Sequence, residues 1–259
     1  MKVSYSRIGT FKQCPYKYKL IYIDKLKTLF NLNPDNALVL GTAVHKGIET
    51  GEVIEAIKSY YSNYPTVTKN MINEAIKLEV LVQKAIDILP RGEYELQLDN
   101  DDFIGFVDLL VKVDDNTYDL YDFKYSNNTA NYIESGQLHV YKYYFELLNP
   151  TKQIRNMYFV FIPKVKLKQD EYEEDTEYRK RLIEKCNEAN ISLYKVVYDP
   201  NKVIQFLTDT KHCIEAQEFN KNPSNLCYWC DFKKYCESDG KYDGNIIYPK
   251  EREENGKSI

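Results

Sequence analysis

An acid and a lysine stand two residues apart in the apolar stretch "LYDFKYS", residues 120–126. Side chains at positions i and i+2 of a β-strand point to the same face of the sheet, so Asp122 and Lys124 would lie side by side. One interpretation is an ordinary ion pair on a half-buried strand, because this pair of residues often occurs by chance. The other is a reactive site, in which the lysine stabilises charge next to a metal-binding carboxylate.

A second aspartate, Asp108 in "GFVDLL", lies on the predicted strand that precedes Asp122. Residues 114–116 predict a hairpin turn that would pair the two strands. A buried carboxylate is costly unless it is paired or coordinates a metal. A divalent cation also removes the repulsion between two carboxylates, and carboxylate oxygens suit Mg²⁺ or Mn²⁺. With Lys124 beside them, the two acids indicate metal-assisted hydrolysis of a phosphodiester.

Hydrophobic periodicity predicts the elements that position these residues, and it favours one compact α/β domain over residues 1–240 with a loosely ordered tail over 241–259. The predicted strands cover 94–98, 103–113, 117–125, 153–163 and 191–198. The predicted helices cover 52–62, 70–89, 132–148, 176–189 and 200–219, and "LVLGTAVHKGIET" predicts a turn followed by a helix. Ser4 or Ser6 is expected to cap an N-terminal helix that Pro15 bends or restarts.

Composition indicates a folded protein, since 43% of its 259 residues are hydrophobic and 29% are charged. No apolar run approaches the roughly 20 residues of a membrane span, and the N-terminus lacks an apolar signal-peptide core. We therefore expect a cytoplasmic protein without a membrane partner. The net charge of −4 does not by itself indicate nucleic-acid binding, although lysines cluster locally. The clusters are Lys17, Lys19, Lys25 and Lys27, and Lys164, Lys166 and Lys168.

Six cysteines in a cytoplasmic protein argue for metal binding or free thiols rather than disulfides. In "CYWCDFKKYC", Cys227, Cys230 and Cys236 are close enough in sequence to share one metal centre. A fourth ligand is missing locally, and the cysteine count does not choose between zinc and iron–sulfur. Cys186 and Cys213 lie outside this pattern and are predicted to be free thiols.

Together these motifs resemble the PD-(D/E)XK nuclease superfamily in its RecB-like branch. "GFVDLL" and "YDFKYS" are similar to the acid and lysine motifs of that family, with the Asp that its D/E alternative allows. "GTAVHKGIE" resembles the histidine motif of the branch, and "GQLHVYKYYF" contains a similar Q-x-x-x-Y pattern. The opening "SYSRIGTFKQCPYKYKL" is similar to AddB-type and CRISPR-adaptation nucleases. The motifs run in the order of the family from about residue 4 to residue 236.

The resemblance implies a restriction-endonuclease-like core with a central mixed sheet flanked by helices. It implies that Asp108 and Asp122 bind the catalytic metal, and that His45 and the carbonyl of Phe123 are further ligands. Lys124 would position or deprotonate the attacking water.

Other residues are assigned to the site by the same resemblance. Gln137 and Tyr141 would support the site or contact DNA, although residues at i and i+4 could also simply pack on one helix face. His45 taken alone could be a structural histidine. Glu95, on the preceding strand, is expected to be an acid outside the ligand set.

For the cysteines, the resemblance implies that Cys14 is the fourth ligand. Cys14, Cys227, Cys230 and Cys236 would then hold a 4Fe–4S cluster that joins the two ends of the chain, with zinc as the alternative.

These expectations combine into a Mg²⁺- or Mn²⁺-dependent deoxyribonuclease, an exonuclease on single strands or DNA ends. Recombination, repair, CRISPR adaptation and phage DNA processing use such enzymes, with a helicase or recombination protein as partner. The alternative is a catalytically silent nuclease-fold subunit that binds DNA or acts as a scaffold. The acidic net charge leaves that alternative open, whereas the intact Asp108, Asp122 and Lys124 argue against it. A third alternative, a zinc-ribbon interaction module, would explain only the cysteines and not the motifs within residues 41–141.

Overall fold

A computed structural model describes residues 2–249 of the chain. Their contacts divide the chain into two compact units. The first unit consists of Lys2 and residues 32–205, and the second of residues 3–31 and residues from 206 onward. The single domain expected over residues 1–240 stays a prediction. No helix within residues 2–249 combines the length and the apolar character that crossing a membrane requires.

Helices and strands alternate along most of the chain. The helices are α1 (Tyr5–Gln13), α2 (Pro15–Tyr18), α3 (Ala37–Thr50), α4 (Val53–Tyr61), α5 (Lys69–Ile88), α6 (Ala130–Ile133), α7 (Gln137–Leu148), α8 (Asp175–Glu188), α9 (Pro200–Glu215) and α10 (Lys233–Glu237). The strands are β1 (Lys27–Thr28), β2 (Glu93–Asp99), β3 (Ile104–Lys112), β4 (Thr117–Tyr125), β5 (Gln153–Ile162), β6 (Ser192–Val196) and β7 (Ile246–Ile247). A π-helical turn, Lys19–Ile23, follows α2, and a 3-10 turn, Asn225–Trp229, precedes α10.

A five-stranded mixed sheet in the order β2-β3-β4-β5-β6 forms the centre of the first unit. The hairpins β2–β3 and β3–β4 are antiparallel, and the second closes where the N–H of Val113 donates to the carbonyl of Thr117. Strand β5 lies parallel to β4 after the crossover through α6 and α7, and β6 returns antiparallel. This architecture confirms the predicted α/β fold with a central mixed sheet, consistent with a restriction-endonuclease-like core.

Helices cover both faces of the sheet because the strands are apolar on both faces. On one face, helices α3, α4, α5 and α8 enclose the main hydrophobic core. The sheet contributes Leu109, Tyr121, Phe123, Tyr125, Val160 and Ile162 to this core. On the other face, helix α7 packs on β4 and β5, where the rings of Phe145 and Tyr118 meet edge to face. The alternate residues of β4, which include Asp122 and Lys124, point toward this α7 side.

Helix α3 begins earlier than the sequence predicted, because Asn36 caps it by accepting hydrogen bonds from the backbone N–H groups of its first turn. The turn expected near Gly41 is therefore helical, and that prediction was wrong. Gly47 explains the close packing of this helix: an added Cβ would lie 2.6 Å from Val82 Cγ1 and 2.7 Å from Ala56 Cβ. Gly41 has no atom within 4 Å of such a Cβ.

Other boundaries follow local chemistry. The helix predicted over 132–148 is interrupted at residues 134–136, where Gly136 precedes α7. In the second unit, the Ser4 side chain accepts from the N–H of Arg7 and caps α1, and Pro15 starts α2, as predicted. Of the predicted loose tail, residues 241–249 include β7, which pairs with β1. Residues 250–259 lie outside the described part of the chain.

Candidate active site

The candidate site forms where β3 and β4 separate. Their pairing stops at Leu109 and Tyr121, just before Asp108 and Asp122 would face each other, while β4 stays paired with β5 through Tyr125. At the opening, the backbone N–H of Phe123 donates to Asp108 Oδ2 at 2.6 Å instead of to a carbonyl of β3. A side-chain carboxylate thus replaces a partner of the strand ladder, which holds Asp108 at the mouth of the opening.

Helix α3 carries His45 to the same place. His45 Nε2 lies 3.0 Å from the carbonyl oxygen of Phe123, and Nδ1 lies 3.4 Å from Asp108 Oδ1. Burial alone would lower the pKa of His45, but the charges of Asp108 and Asp122 outweigh it and raise the pKa from 6.5 to about 9. In the absence of a cation His45 is therefore a positively charged imidazolium, and its proton must leave before the ring can bind a metal.

Strand β2 contributes Glu95, which stands opposite Asp108 because the residues on either side of it pair with β3. Its φ of +51° lies in the left-handed region, a conformation that costs roughly 1–3 kcal/mol for a residue other than glycine. Burial, followed by the charge of Asp108, raises the pKa of Glu95. One donor atom from each of His45, Glu95 and Asp108 lies within 4.8 Å of the other two, so these residues form a possible metal site.

Asp122 and Lys124 form a buried ion pair beside this group. The Lys124 Nζ lies 2.5 Å from Asp122 Oδ2, and their side chains are 15% and 2% exposed. Burial raises the pKa of Asp122 from 3.8 to about 6 against the attraction of Lys124. Burial lowers the pKa of Lys124, but the charges of Asp122 and Asp108 outweigh it, so the net effect is an increase and the ammonium remains charged.

The donor set suits a hard divalent cation. Among residues 2–249, Asp122 Oδ2 is a buried oxygen that has the nearby ammonium but no hydrogen bond of acceptable geometry. A cation would satisfy this oxygen together with the other carboxylates, which now repel one another. Imidazole nitrogen, carboxylate oxygens and a backbone carbonyl are ligands that Mg²⁺ and Mn²⁺ accept.

Gln137 and Tyr141 lie on helix α7 next to the acids. Gln137 Nε2 donates to the hydroxyl of Tyr141 at 3.0 Å. Burial and then the charge of Asp122 raise the pKa of Tyr141, which therefore stays a neutral hydroxyl at the edge of the site. The two side chains are close to the candidate metal residues, while their predicted contact with DNA stays a prediction.

The structure thus brings together the residues predicted for the metal site, which are His45, Asp108, Asp122 and the Phe123 carbonyl, and it places Lys124, predicted to act on the attacking water, beside them. Their individual roles stay predictions. Glu95 was expected outside the ligand set, yet its carboxylate is one of the three closest donor groups. The register of the β2–β3 hairpin places it there, because Asp99 pairs with Ile104 and counting back from that pair sets Glu95 opposite Asp108.

The four predicted cluster ligands lie in the second unit. Cys14, Cys227, Cys230 and Cys236 all line one cavity of about 260 Å³. Burial and the neighbouring thiols raise the pKa of Cys236. However, no three cysteine sulfurs of the described chain lie within 4.8 Å of one another, so the structure does not show the predicted cysteine-ligated cluster.

One of the two lysine clusters noted in the sequence lies in the first unit. Lys164, Lys166 and Lys168 alternate with Val165 and Leu167 after β5, and Val165 is buried. The three lysines line a groove of about 600 Å³ together with Tyr125, the residue after Lys124.

Comparison with known proteins agrees with the geometry. No curated protein sequence is similar enough to the chain to count as a match. The sequence model of the PD-(D/E)XK nuclease superfamily matches residues 2–237, which include both strands of the opening and every candidate ligand. Superfamily membership points to a metal-dependent nuclease with a DNA substrate, for which His45, Glu95 and Asp108 form a possible metal site. The chain belongs to the PD-(D/E)XK nuclease superfamily.

Proposed function

We propose that the protein is a Mg²⁺- or Mn²⁺-dependent deoxyribonuclease of the RecB-like branch that acts as an exonuclease on single strands or DNA ends. The observation that carries the proposal is the convergence of His45, Glu95 and Asp108 beside the buried pair of Asp122 and Lys124. A cytoplasmic location and a helicase or recombination partner belong to the same proposal. Its setting would be recombination, repair, CRISPR adaptation or phage DNA processing.

Some residues of the site would bind the cation, and others would contact the water and the phosphate. A bound cation would polarise the phosphate and make a water molecule more acidic. His45, Glu95, Asp108 and Asp122, with the Phe123 carbonyl, would hold it. The contact from the Phe123 carbonyl to His45 would have to open for both groups to serve as ligands.

Lys124 positions water and balances the charge of the phosphate in this proposal. Despite burial, its pKa in the metal-free protein is raised by Asp122 and Asp108, which keeps Lys124 a charged ammonium and supports positioning over proton abstraction. Tyr141 and Gln137 orient each other through their hydrogen bond and would present the tyrosine hydroxyl to the substrate.

The substrate assignment rests on charge and shape as well as on the family. The lysines at 164, 166 and 168 line one groove and offer ammonium groups to a phosphate backbone. Asp35 and Glu74 line the same groove and moderate its charge. Binding through such contacts should weaken as the salt concentration rises.

We also propose that the cysteines hold a 4Fe–4S cluster. The cavity that all four line supports this, as do backbone N–H groups that donate to the sulfurs of Cys14 and Cys227 at 3.4 Å. Four thiolates around one zinc ion would lie about 3.8 Å apart for Zn–S bonds of about 2.3 Å. A cubane binds each thiolate through a different iron, so its ligands are more widely separated.

The nuclease proposal is tested with end-labelled single- and double-stranded DNA, in Mg²⁺, Mn²⁺ or EDTA, using anaerobically purified protein. The Asp122→Asn variant should lose at least about 100-fold of the activity, as removal of a charge-handling group in an active site typically does. Asp119→Asn is the matched control, since Asp119 is also buried on β4 but pairs with Arg155. Salt-sensitive DNA binding without cleavage by metal-loaded protein would instead support the silent scaffold.

The cluster is tested by iron, sulfide and zinc analysis and by absorption spectra of the same preparation. Cys236→Ser should reduce the iron content, whereas Cys213→Ser should not, because Cys213 lies outside the cavity. Stoichiometric zinc without iron in anaerobic protein would contradict the cluster assignment.

A further inference from the structure

Two aromatic side chains of the second unit are exposed side by side. Tyr228 and Trp229 are 71% and 78% exposed, and the neighbouring Leu226 is 56% exposed. Cys227 and Cys230, which bracket the aromatic pair, line the cysteine cavity, whereas Tyr228 and Trp229 do not. Exposed large aromatic groups in contact with each other are more informative than scattered apolar residues, because such patches commonly mark binding sites.

The backbone under these rings is well fixed. The Ser224 side chain accepts a hydrogen bond from the N–H of Leu226 and caps the 3-10 turn. The N–H of Cys230 donates to the carbonyl of Cys227, and the N–H of Lys233 donates to the carbonyl of Cys230. The backbone that carries the two exposed rings is therefore ordered, so that little backbone entropy is lost when a ligand binds to them.

The two rings form a corner. Their centroids are 4.8 Å apart and their planes differ by 81°. A flat ligand that stacks on the face of one ring would meet the edge of the other, an arrangement that aromatic quadrupoles favour. The Lys233 ammonium lies 5.6 Å from the centroid of the Tyr228 ring, so a cation accompanies the aromatic surface.

Charge favours a ligand that is both flat and anionic. Lys17, Lys221 and Lys233 line the neighbouring cavity together with Glu237, and Lys221 also pairs with the nearby Asp239, so positive charge is in excess by one. Aromatic platforms next to cationic side chains are the usual means of binding single-stranded nucleic acid. A duplex fits poorly, because stacking on both sides covers the faces of its bases.

We propose that Tyr228 and Trp229 form a base-stacking site for single-stranded nucleic acid. The inference rests on the proposed nuclease function and deepens it, since it names the substrate form that the second unit recognises. Base–aromatic stacking commonly contributes enough that loss of one ring weakens binding about 5- to 150-fold.

The first test uses the emission of Trp229, the single tryptophan of the chain, excited where tyrosine does not absorb. Full-length protein with Asp122→Asn is titrated in EDTA, so that cleavage is suppressed, with an oligothymidylate of about 12 nucleotides. The emission should change in a saturable way. An abasic deoxyribose-phosphate oligomer of equal length should bind more weakly and leave the emission unchanged, because it has phosphates but no bases.

The second test measures the affinity for a dye-labelled oligothymidylate by anisotropy. Trp229→Ala and Tyr228→Ala should each weaken binding within the stated range, while Trp229→Phe and Tyr228→Phe retain most of it. Tyr172→Ala is the matched control, because Tyr172 is 92% exposed in the first unit. Unchanged circular dichroism would show that the variants are folded.

Several outcomes would overturn the proposal. Wild-type affinity in both alanine variants, with cleavage intact, would reject the stacking site and leave the nuclease function standing. An equal emission change with the abasic oligomer would also reject it. A blue shift with rising protein concentration and no response to DNA would identify a second copy as the occupant. Absence of both DNA binding and cleavage would reject the site and the nuclease function together.

Discussion

Replacing Asp122 with asparagine should stabilise the metal-free protein at neutral pH. Asparagine keeps the size of the side chain but removes its charge. The Asp122 carboxylate is fully enclosed, and burial raises its pKa from 3.8 to about 6 even though Lys124 lies 2.5 Å away. The fold therefore opposes the ionised form that Asp122 adopts at neutral pH.

The magnitude follows from the two pKa values. A folded-state pKa of about 6 against 3.8 corresponds to a penalty of about 3 kcal/mol for ionised Asp122 at pH 7. Because the folded pKa is the higher one, protonation favours folding. The penalty is absent below about pH 4, grows as the pH rises, and is complete above about pH 6. Asp122→Asn should gain up to about 3 kcal/mol of unfolding free energy at pH 7.

Urea unfolding in EDTA, at several pH values between 4 and 7.5, would measure this gain. Asp119→Asn provides the contrast, because Asp119 on the same strand accepts hydrogen bonds from the Arg155 guanidinium at 3.0 and 2.6 Å. That variant should lose about 1–3 kcal/mol. Adding Mg²⁺ should stabilise the wild-type protein, because the cation would compensate the buried negative charge of Asp122. It should have little effect on Asp122→Asn, which lacks that charge.

Two results would refute the reasoning. Asp122→Asn could destabilise the protein as Asp119→Asn is expected to do, which would mean that the ion pair with Lys124 outweighs the cost of burial. Its gain could also be the same at pH 4 and pH 7, which would mean that ionisation of Asp122 is not the source.

Three further predictions concern neighbouring features. Mn²⁺ binding should release about one proton at pH 7, and its affinity should increase with pH up to about 9, because the pKa of His45 is about 9 without the cation. Calorimetry in buffers of different ionisation enthalpy would measure the proton release. Mn²⁺ binding without proton release would contradict the prediction. Glu95→Gln should weaken Mn²⁺ binding about 10-fold or more, while Glu93→Gln, on the same strand but outside the group of close donors, should not. Equal affinities of the wild-type protein and Glu95→Gln would remove Glu95 from the metal site. Gly47→Ala should destabilise the protein by about 1–3 kcal/mol, because the added Cβ would clash with two neighbouring helices. Gly41→Ala, on the same helix, should be neutral or stabilising by up to about 1 kcal/mol. Thermal unfolding would measure both changes.

The sequence predicted best what depends on local periodicity. Strand β4 has the predicted bounds of residues 117–125, because its apolar residues and the turn before it are local signals. The proximity of His45 to Asp108 did not follow from periodicity, since the two residues are distant in sequence. It came from the resemblance of ordered motifs, and the geometry places them 3.4 Å apart.

What the sequence missed depends on backbone geometry set by the whole sheet. The φ of +51° at Glu95 and the end of β3–β4 pairing at Leu109 have no local signature. The turn predicted near Gly41 failed for a different reason. A glycine inside a helix is tolerated when the cap at Asn36 and the packing of the helix outweigh its cost.

Phe123 has a consequence for how this family member can vary. Its side chain is buried in the main core, while its N–H holds Asp108 and its carbonyl meets His45. The chemical groups at this position belong to the main chain, so a scan by alanine substitution would register Phe123 as a packing residue and overlook its part in the site. The same link runs in reverse: a change of core volume beneath the ring would shift a peptide group that two site residues share. Substitutions in the hydrophobic interior can therefore change the metal affinity while every polar side chain of the site stays the same.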